Sequence, residues 1–214
     1  MQGKLWVFIL LILGACKSVV KPSVKALYDQ DTATDTNQLN GYTAVEVYQD
    51  IIDRSVWVSP ELQCVKMNYS DSTVFAGKGS IQLKWDKIKG GCQWIGIGFG
   101  WNNWMSKDFS DVYAMASIQM AVKSASGSFN NLPVAFAFED YAGTQNYFGF
   151  QAYLAPKGFS DSSWTILKIP LQKFNLSDGK FELDNVKQFI IQLEADGDIF
   201  IDDIKIVKNE AQSK

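Results

Sequence analysis

The residues best suited to chemistry in this 214-residue chain are aromatic and polar side chains set side by side. Trp101-Asn102-Asn103-Trp104 places two indoles around two amides. Glu139-Asp140-Tyr141, followed by Gln145-Asn146-Tyr147, repeats the mixture. Gln151 and Tyr153 form a third group, on the opposite face from Phe148 and Phe150, and Trp57 adds a ring in an early loop. Flat aromatic faces hold C–H surfaces, while amides and carboxylates hold hydroxyls, so the mixture suits noncovalent grip of a ligand presenting both. Each group also has a plainer reading. Tryptophan more often fills a core or its rim, as expected of Trp85, Trp94 and Trp164, and Asn102-Asn103 suits a turn because Asn tolerates left-handed backbone angles. The chain has no histidine. That excludes Ser-His-Asp and Cys-His nucleophilic sites and every His-containing zinc or iron site. Carboxylate pairs remain, but Glu139 and Asp140 are strand neighbours that point apart, poor partners for acid–base work across roughly 5–9 Å.

The elements that must position these residues read as strands nearly throughout. Ile81-Gln-Leu-Lys-Trp85, Ile118-Gln-Met-Ala-Val122, Val134-Ala-Phe-Ala-Phe138 and Phe189-Ile-Ile-Gln-Leu193 alternate apolar and small or polar residues, the last with one break. Turn signals such as Gly77-Lys-Gly79, Gly90-Gly91, Ser126-Gly-Ser128 and Asp196-Gly-Asp198 separate them. Many short strands at this spacing predict an all-β sandwich or barrel. Ile95-Gly-Ile-Gly-Phe-Gly-Trp101 puts Ile95, Ile97, Phe99 and Trp101 on one face and three glycines on the other. Glycine inside a strand often marks close approach of a ligand or another group. Val134, Phe136 and Phe138 oppose Ala135, Ala137 and Glu139; Ile118, Met120 and Val122 oppose Gln119, Ala121 and Lys123. One face of a sheet thus carries bulky core residues. The other is either a shallow groove with Gln119 and Glu139 on its floor or the seat of a covering loop.

The ends carry a different message. Lys4, an apolar run from Leu5 to Leu13 and Leu13-Gly14-Ala15-Cys16 make up the N-terminus. The run is shorter than the ~20 residues a membrane helix needs, but suits a secretory signal. The Leu-Gly-Ala-Cys ending resembles the lipobox of bacterial lipoproteins, which implies a signal peptide over residues 1–15 and a lipidated Cys16; the alternative is a soluble secreted protein. Lys17 in place of Asp resembles an outer-membrane-sorted lipoprotein of a Gram-negative cell. Residues 16–44 are polar and read as a flexible linker. With Cys16 lipidated, Cys64 and Cys92 remain, as a disulfide in an oxidising compartment or as two buried thiols. Net charge is −3 with no basic block, which argues against nucleic acid as a partner.

Three passages resemble a known family. Trp164-Thr-Ile-Leu-Lys-Ile-Pro-Leu-Gln-Lys-Phe174, Ile199-Phe-Ile-Asp-Asp-Ile-Lys-Ile206, and Gln93 to Trp104 followed by Lys107-Asp108-Phe109-Ser110 are similar to motifs of the galactose-binding-like jelly-roll carbohydrate-binding modules, especially the family-11-like ones. The resemblance covers residues 45–208 and leaves 209–214 as a tail. It implies a jelly-roll β-sandwich that binds a polysaccharide or oligosaccharide without catalysis, near glycan-degrading or transport proteins at the cell envelope. Ligand contacts are then expected from Trp101, Asn102, Trp104, Gln119, Glu139, Asp140, Tyr147, Gln151 and Tyr153. The adjacent Asp202 and Asp203 must face opposite ways or sit at a bulge. Such domains often hold one structural Ca²⁺ between first and last strands, which makes Glu46, Asp50 and Asp203 candidate ligands; the alternative is a backbone-bonded Asp. A structural or protein-binding envelope component, and a glycoside hydrolase or polysaccharide lyase, are the competing functions.

Overall fold

The computed structural model describes residues 45–48, 50, 52, 54–101 and 104–209. The expected signal peptide, Cys16, the linker, Asn102 and most of the tail lie outside those residues. In chain order the strands are β1 (Val45–Tyr48), β2 (Val56–Val58), β3 (Val65–Ser70), β4 (Ser80–Asp86) and β5 (Gly96–Gly100). There follow β6 (Ala116–Ser124), β7 (Ser128–Phe129), β8 (Val134–Asp140), β9 (Gln145–Gly149) and β10 (Phe159–Ser160). The last three are β11 (Thr165–Pro170), β12 (Val186–Leu193) and β13 (Asp196–Lys208). Among the described residues one α-helical turn, α1 (Lys87–Gly90), is capped by the Asp86 carboxylate and ended by Gly91 at φ 72°.

Two antiparallel sheets face each other. One runs β11-β6-β13-β4-β3, with β1 also paired to β13; the other runs β2-β5-β12-β8-β9. This is the jelly-roll β-sandwich that the alternating strands and the motifs imply. The inward phase of each strand makes the core: Ile97 and Phe99, Phe136 and Phe138, Phe189 and Ile191 from the five-stranded sheet, and Leu83, Met120, Leu167 and Ile201 from the six-stranded one. Each such side chain contributes about 1.5–3 kcal/mol on burial. Trp85 is core as expected, whereas Trp164 is only partly buried and meets Phe75 edge-on.

The closing strand keeps four isoleucines inward, Ile199, Ile201, Ile204 and Ile206. The spacing changes from two to three between Ile201 and Ile204, and a bulge makes this possible: the register with β6 shifts between Asp202 and Lys205, and Asp203 sits at φ 49°. Asp202 is buried and accepts hydrogen bonds from the backbone N–H groups of Phe75, Ala76 and Asp203. Burial pushes its carboxyl above the usual range against those three donors, and the Asp203 charge adds to the rise.

Cys64 and Cys92 form a disulfide with Cα atoms 6.4 Å apart. Cys64 precedes β3 of one sheet and Cys92 leads into β5 of the other, so the bond staples the sheets together. The sandwich also corrects one expectation. β6 belongs to the six-stranded sheet, while β5 and β8 belong to the five-stranded sheet. The small-residue faces therefore lie on opposite outsides of the molecule, and Gln119 does not share a surface with Glu139.

Candidate binding face

The outer face of the five-stranded sheet is built on the glycines of β5. Register places Gly100 beside Gln188, Glu139 and Gln145; Gly98 between Trp57 and Ile190, followed by Ala137 and Tyr147; and Gly96 beside Gln192, Ala135 and Gly149. Residues paired directly across antiparallel strands share a face. A Cβ at Gly96 would lie 2.8 Å from Trp94 Cη2, one at Gly98 2.1 Å from Trp57 Nε1, and one at Gly100 2.8 Å from Trp104 Cε3. Three indoles therefore rest on the backbone of three alternate glycines. Trp57 and Trp94 are stacked, with ring centroids 5.9 Å apart and planes at 26°. Trp94 is 37% and Tyr147 42% exposed, while Ile190 beneath them is buried. The groove or covered seat expected from the sequence is thus a floor already laid with aromatic rings, open on the solvent side.

Under the rings runs a polar layer. Trp57 Nε1 donates to Gln188 Oε1 at 2.6 Å, Gln188 Nε2 to Glu139 Oε2 at 3.0 Å, and Gln145 Nε2 to the same oxygen at 2.6 Å. Lys187 pairs with the other Glu139 oxygen. Trp94 Nε1 donates to Gln192 Oε1 at 2.9 Å, and Gln192 Nε2 donates to Glu194, which pairs with Lys87. Trp104, at φ 66°, donates to the Arg54 carbonyl at 3.0 Å, and Tyr141 donates to the Trp104 carbonyl. Tyr147 donates to Gln145 Oε1. Burial raises the Tyr147 phenol above its ordinary value, Trp94 works against the rise as a hydrogen-bond partner, and the Glu139 charge adds to it.

Of the expected contact residues, Trp104, Glu139 and Tyr147 come together here. Trp57 joins them from strand β2 rather than from a loop. Trp101 does not: it is 2% exposed, between Phe109 and Phe138, because it continues the inward phase of Ile95, Ile97 and Phe99. Asp140 is fully buried and accepts the N–H groups of Thr144 and Glu182, bracing a turn. Gln119 is on the far sheet, paired with Lys168 and Lys205. Gln151 and Tyr153 lie beyond the end of β9, Tyr153 in the 3-10 turn Ala152–Leu154. Trp94, expected in the core, is a ring of the platform. Gln145, named in the second cluster, joins them, whereas Gln188 and Gln192 were not singled out. Their available signal is the break in β12, where Gln188, Ile190 and Gln192 share the outward phase and an outward isoleucine announces a covered surface.

The carboxylates expected to hold Ca²⁺ are engaged otherwise. Asp50 accepts the N–H groups of Lys78 and Gly79, and Asp203 pairs with Lys205 at 2.8 Å. Among the described residues no three His, Cys, Asp or Glu side chains gather. The backbone-bonded alternative describes Asp202. Calcium takes six to eight oxygen ligands, so carbonyl oxygens would have to supply most of such a site here.

A model of the family carbohydrate binding domain 30 matches residues 44–208. The chain belongs to this family. Its sandwich is a carbohydrate-binding domain, and the family-11-like resemblance of the motifs resolves to family 30. The fold is similar to the family 30 module of the cellulosomal cellulase Cel9D-Cel44B of Clostridium thermocellum, with TM-score 0.63 at 12% identity over 79% of this chain and 99% of that one. A second family 30 module gives 0.64 at 12% identity over 80% and 91%. A β-1,2-glucanase from Parabacteroides distasonis gives 0.55 at 15% identity over 80% of this chain and 26% of that one. No curated protein sequence matches the chain.

Proposed function

We propose that the carbohydrate-binding domain holds a glycan chain along the platform of Trp57, Trp94 and Trp104, without catalysis, as the outward end of a lipid-anchored envelope protein. The observation that carries the reading is the seating of three indoles on three alternate glycines of β5. The near-parallel rings of Trp57 and Trp94, with Trp104 on the next seat, present aromatic surface to the C–H surfaces of successive sugar rings, while Tyr147 and Gln145 at the sheet edge meet hydroxyls. The carboxylates support a binding role. Glu139 already accepts from Lys187, Gln188 and Gln145, and Asp140 from two backbone N–H groups. Neither is poised as a general acid or base, which needs a free proton position within reach of the ligand.

The anchor follows from the lipobox-like Leu-Gly-Ala-Cys16 ending and the polar stretch after it. Two or three acyl chains would hold the protein at a membrane, the outer membrane of a Gram-negative cell in this reading, and a tether would raise the local concentration of bound glycan for neighbouring hydrolases or transporters.

Calorimetry of the purified full chain against neutral polysaccharides, with cellulose and β-1,2-glucan in the panel, tests the binding role. Saturable binding with quenching of tryptophan fluorescence and no release of reducing ends is expected. Binding without any change in fluorescence would remove the platform, and release of reducing ends would replace binding by catalysis. Labelling of the expressed chain with a radioactive fatty acid, lost in Cys16→Ala, tests the anchor.

A further inference from the structure

Trp57 and Trp94 are wired alike. Each donates its indole N–H to a glutamine of β12, Gln188 or Gln192. Each glutamine donates its amide N–H to a glutamate, Glu139 or Glu194. Each glutamate pairs with a lysine, Lys187 or Lys87. The two glutamines are four residues apart on one strand, so both face outward, with buried Ile190 between them.

Chemistry fixes the direction of each chain. An indole N–H can only donate and a carboxylate can only accept. A glutamine between them must turn its oxygen to the ring and its NH₂ to the acid, so neither amide can flip without losing both bonds. The lysine ends each chain with an ion pair to the acid and keeps the sequence of dipoles aligned. The edge of each ring is thereby tied through its N–H. Trp104 lacks this arrangement and is held instead by a backbone carbonyl.

We infer that the relays Trp57–Gln188–Glu139–Lys187 and Trp94–Gln192–Glu194–Lys87 hold the two stacked indoles in ligand-ready orientation, which makes Gln188 and Gln192 positioning residues for glycan binding. The inference rests on the platform reading above. It also assigns a division of labour. The N–H groups of Trp57 and Trp94 are consumed inside the protein, so these rings meet the glycan through their faces alone. Hydroxyl recognition falls to other groups, Gln145 and Tyr147 foremost.

The test compares Gln188→Met, Gln192→Met and the double variant with Trp57→Ala and Trp94→Ala, all in the full chain. Methionine keeps the length of glutamine and removes its dipole. Before any ligand is added, the indole N–H resonances of Trp57 and Trp94 should exchange slowly in the parent. Gln188→Met should speed exchange at Trp57 alone and Gln192→Met at Trp94 alone. The exciton couplet of the stacked pair in circular dichroism should shrink in both, at unchanged β-sheet signal. Affinity for cellohexaose, relative to the parent, should fall about fivefold in each single variant and by more in the double. Retained slow exchange and couplet in both methionine variants overturns the relays. Lost couplet with full affinity overturns the positioning role. If Trp57→Ala and Trp94→Ala themselves bind as the parent does, the platform reading fails, and the exchange data still decide whether the relays exist.

Discussion

The two outer faces of this sandwich follow the same alternation and end up different. On the six-stranded side the outward phase is Lys66 and Asn68 on β3, Gln82 and Lys84 on β4, Gln119, Ala121 and Lys123 on β6, Ile166 and Lys168 on β11, and Phe200 on β13. Polar side chains standing on the strands dominate that face, crossed by the pair Lys84–Asp198 at 3.2 Å, and the Phe75–Ala76 segment covers the part around Asp202 and Ala121. On the five-stranded side the outward phase of β5 is glycine alone, beside Gln188, Ile190 and Gln192 on β12 and Ala135, Ala137 and Glu139 on β8, and three tryptophans settle into the space the glycines leave. A polar side chain standing on a strand makes a surface that water wets. A missing side chain makes a seat, and only a seat lets a large ring lie down with its face outward.

If this contrast is right, the largest effect comes from emptying the seats. Trp57→Ala with Trp94→Ala should cost about 4 kcal/mol of binding, from roughly 2 kcal/mol for each central aromatic hot spot, close to loss of measurable affinity by calorimetry. Reduction of Cys64–Cys92 tests the staple between the faces. The 28-residue separation sets a chain-entropy contribution of about 3.5 kcal/mol, to be read as a lower denaturation midpoint in reducing buffer. Filling one seat is the next step down. In Gly98→Ala the new methyl would meet the Trp57 indole nitrogen at 2.1 Å, so the ring must leave; an affinity loss of about tenfold, or 1.4 kcal/mol, is expected, whereas Gln119→Ala on the other face should change neither affinity nor stability beyond about 0.5 kcal/mol.

Acid gives the smallest effect. Burial works to raise the Glu194 carboxyl, but hydrogen bonds from Lys87 and Gln192 and the Lys87 charge prevail and hold it below its ordinary value. Its contribution to stability is therefore complete above the unfolded carboxylate value of about 4.3 and is lost as pH falls through the lower folded value. The pair is partly exposed, which limits the contribution to about 0.2–1 kcal/mol. Glu194→Gln should flatten that part of the acid limb of a stability–pH profile.

Much of this was legible in the sequence, and the boundary of legibility has physical causes. Period-two alternation tells inside from outside, so the core phases of β4, β5, β6 and β8 were readable. The same logic put Trp101 with Ile97 and Phe99, and its burial follows from that phase even though its neighbours Asn102 and Trp104 suggested a ligand contact. Alternation does not tell one sheet from the other, which is why Gln119 and Glu139 read as one floor. The glycine stripe announced that something lies close, but not its occupants: the pairing of β2 with β5 brings Trp57 there, and the loops on either side of β5 fold Trp94 and Trp104 back onto the strand. The adjacent Asp202 and Asp203 left two readings open, opposite faces or a bulge, because two neighbouring strand residues cannot both face solvent in a regular ladder, and the register shift between Asp202 and Lys205 decides for the bulge.

The glycine seats also act as a ruler. Outward positions on one strand recur every two residues, about 6.6–6.8 Å apart, so backbone geometry sets the pitch of the seats, and the Trp57 and Trp94 rings settle 5.9 Å apart on two of them. The pitch cannot be tuned in small steps by substitution. A change of one residue in the stripe moves a seat to the inner face, and a change of two removes a rung. Ring and glycine must therefore change together, as a pair, for the repeat of the bound chain to change.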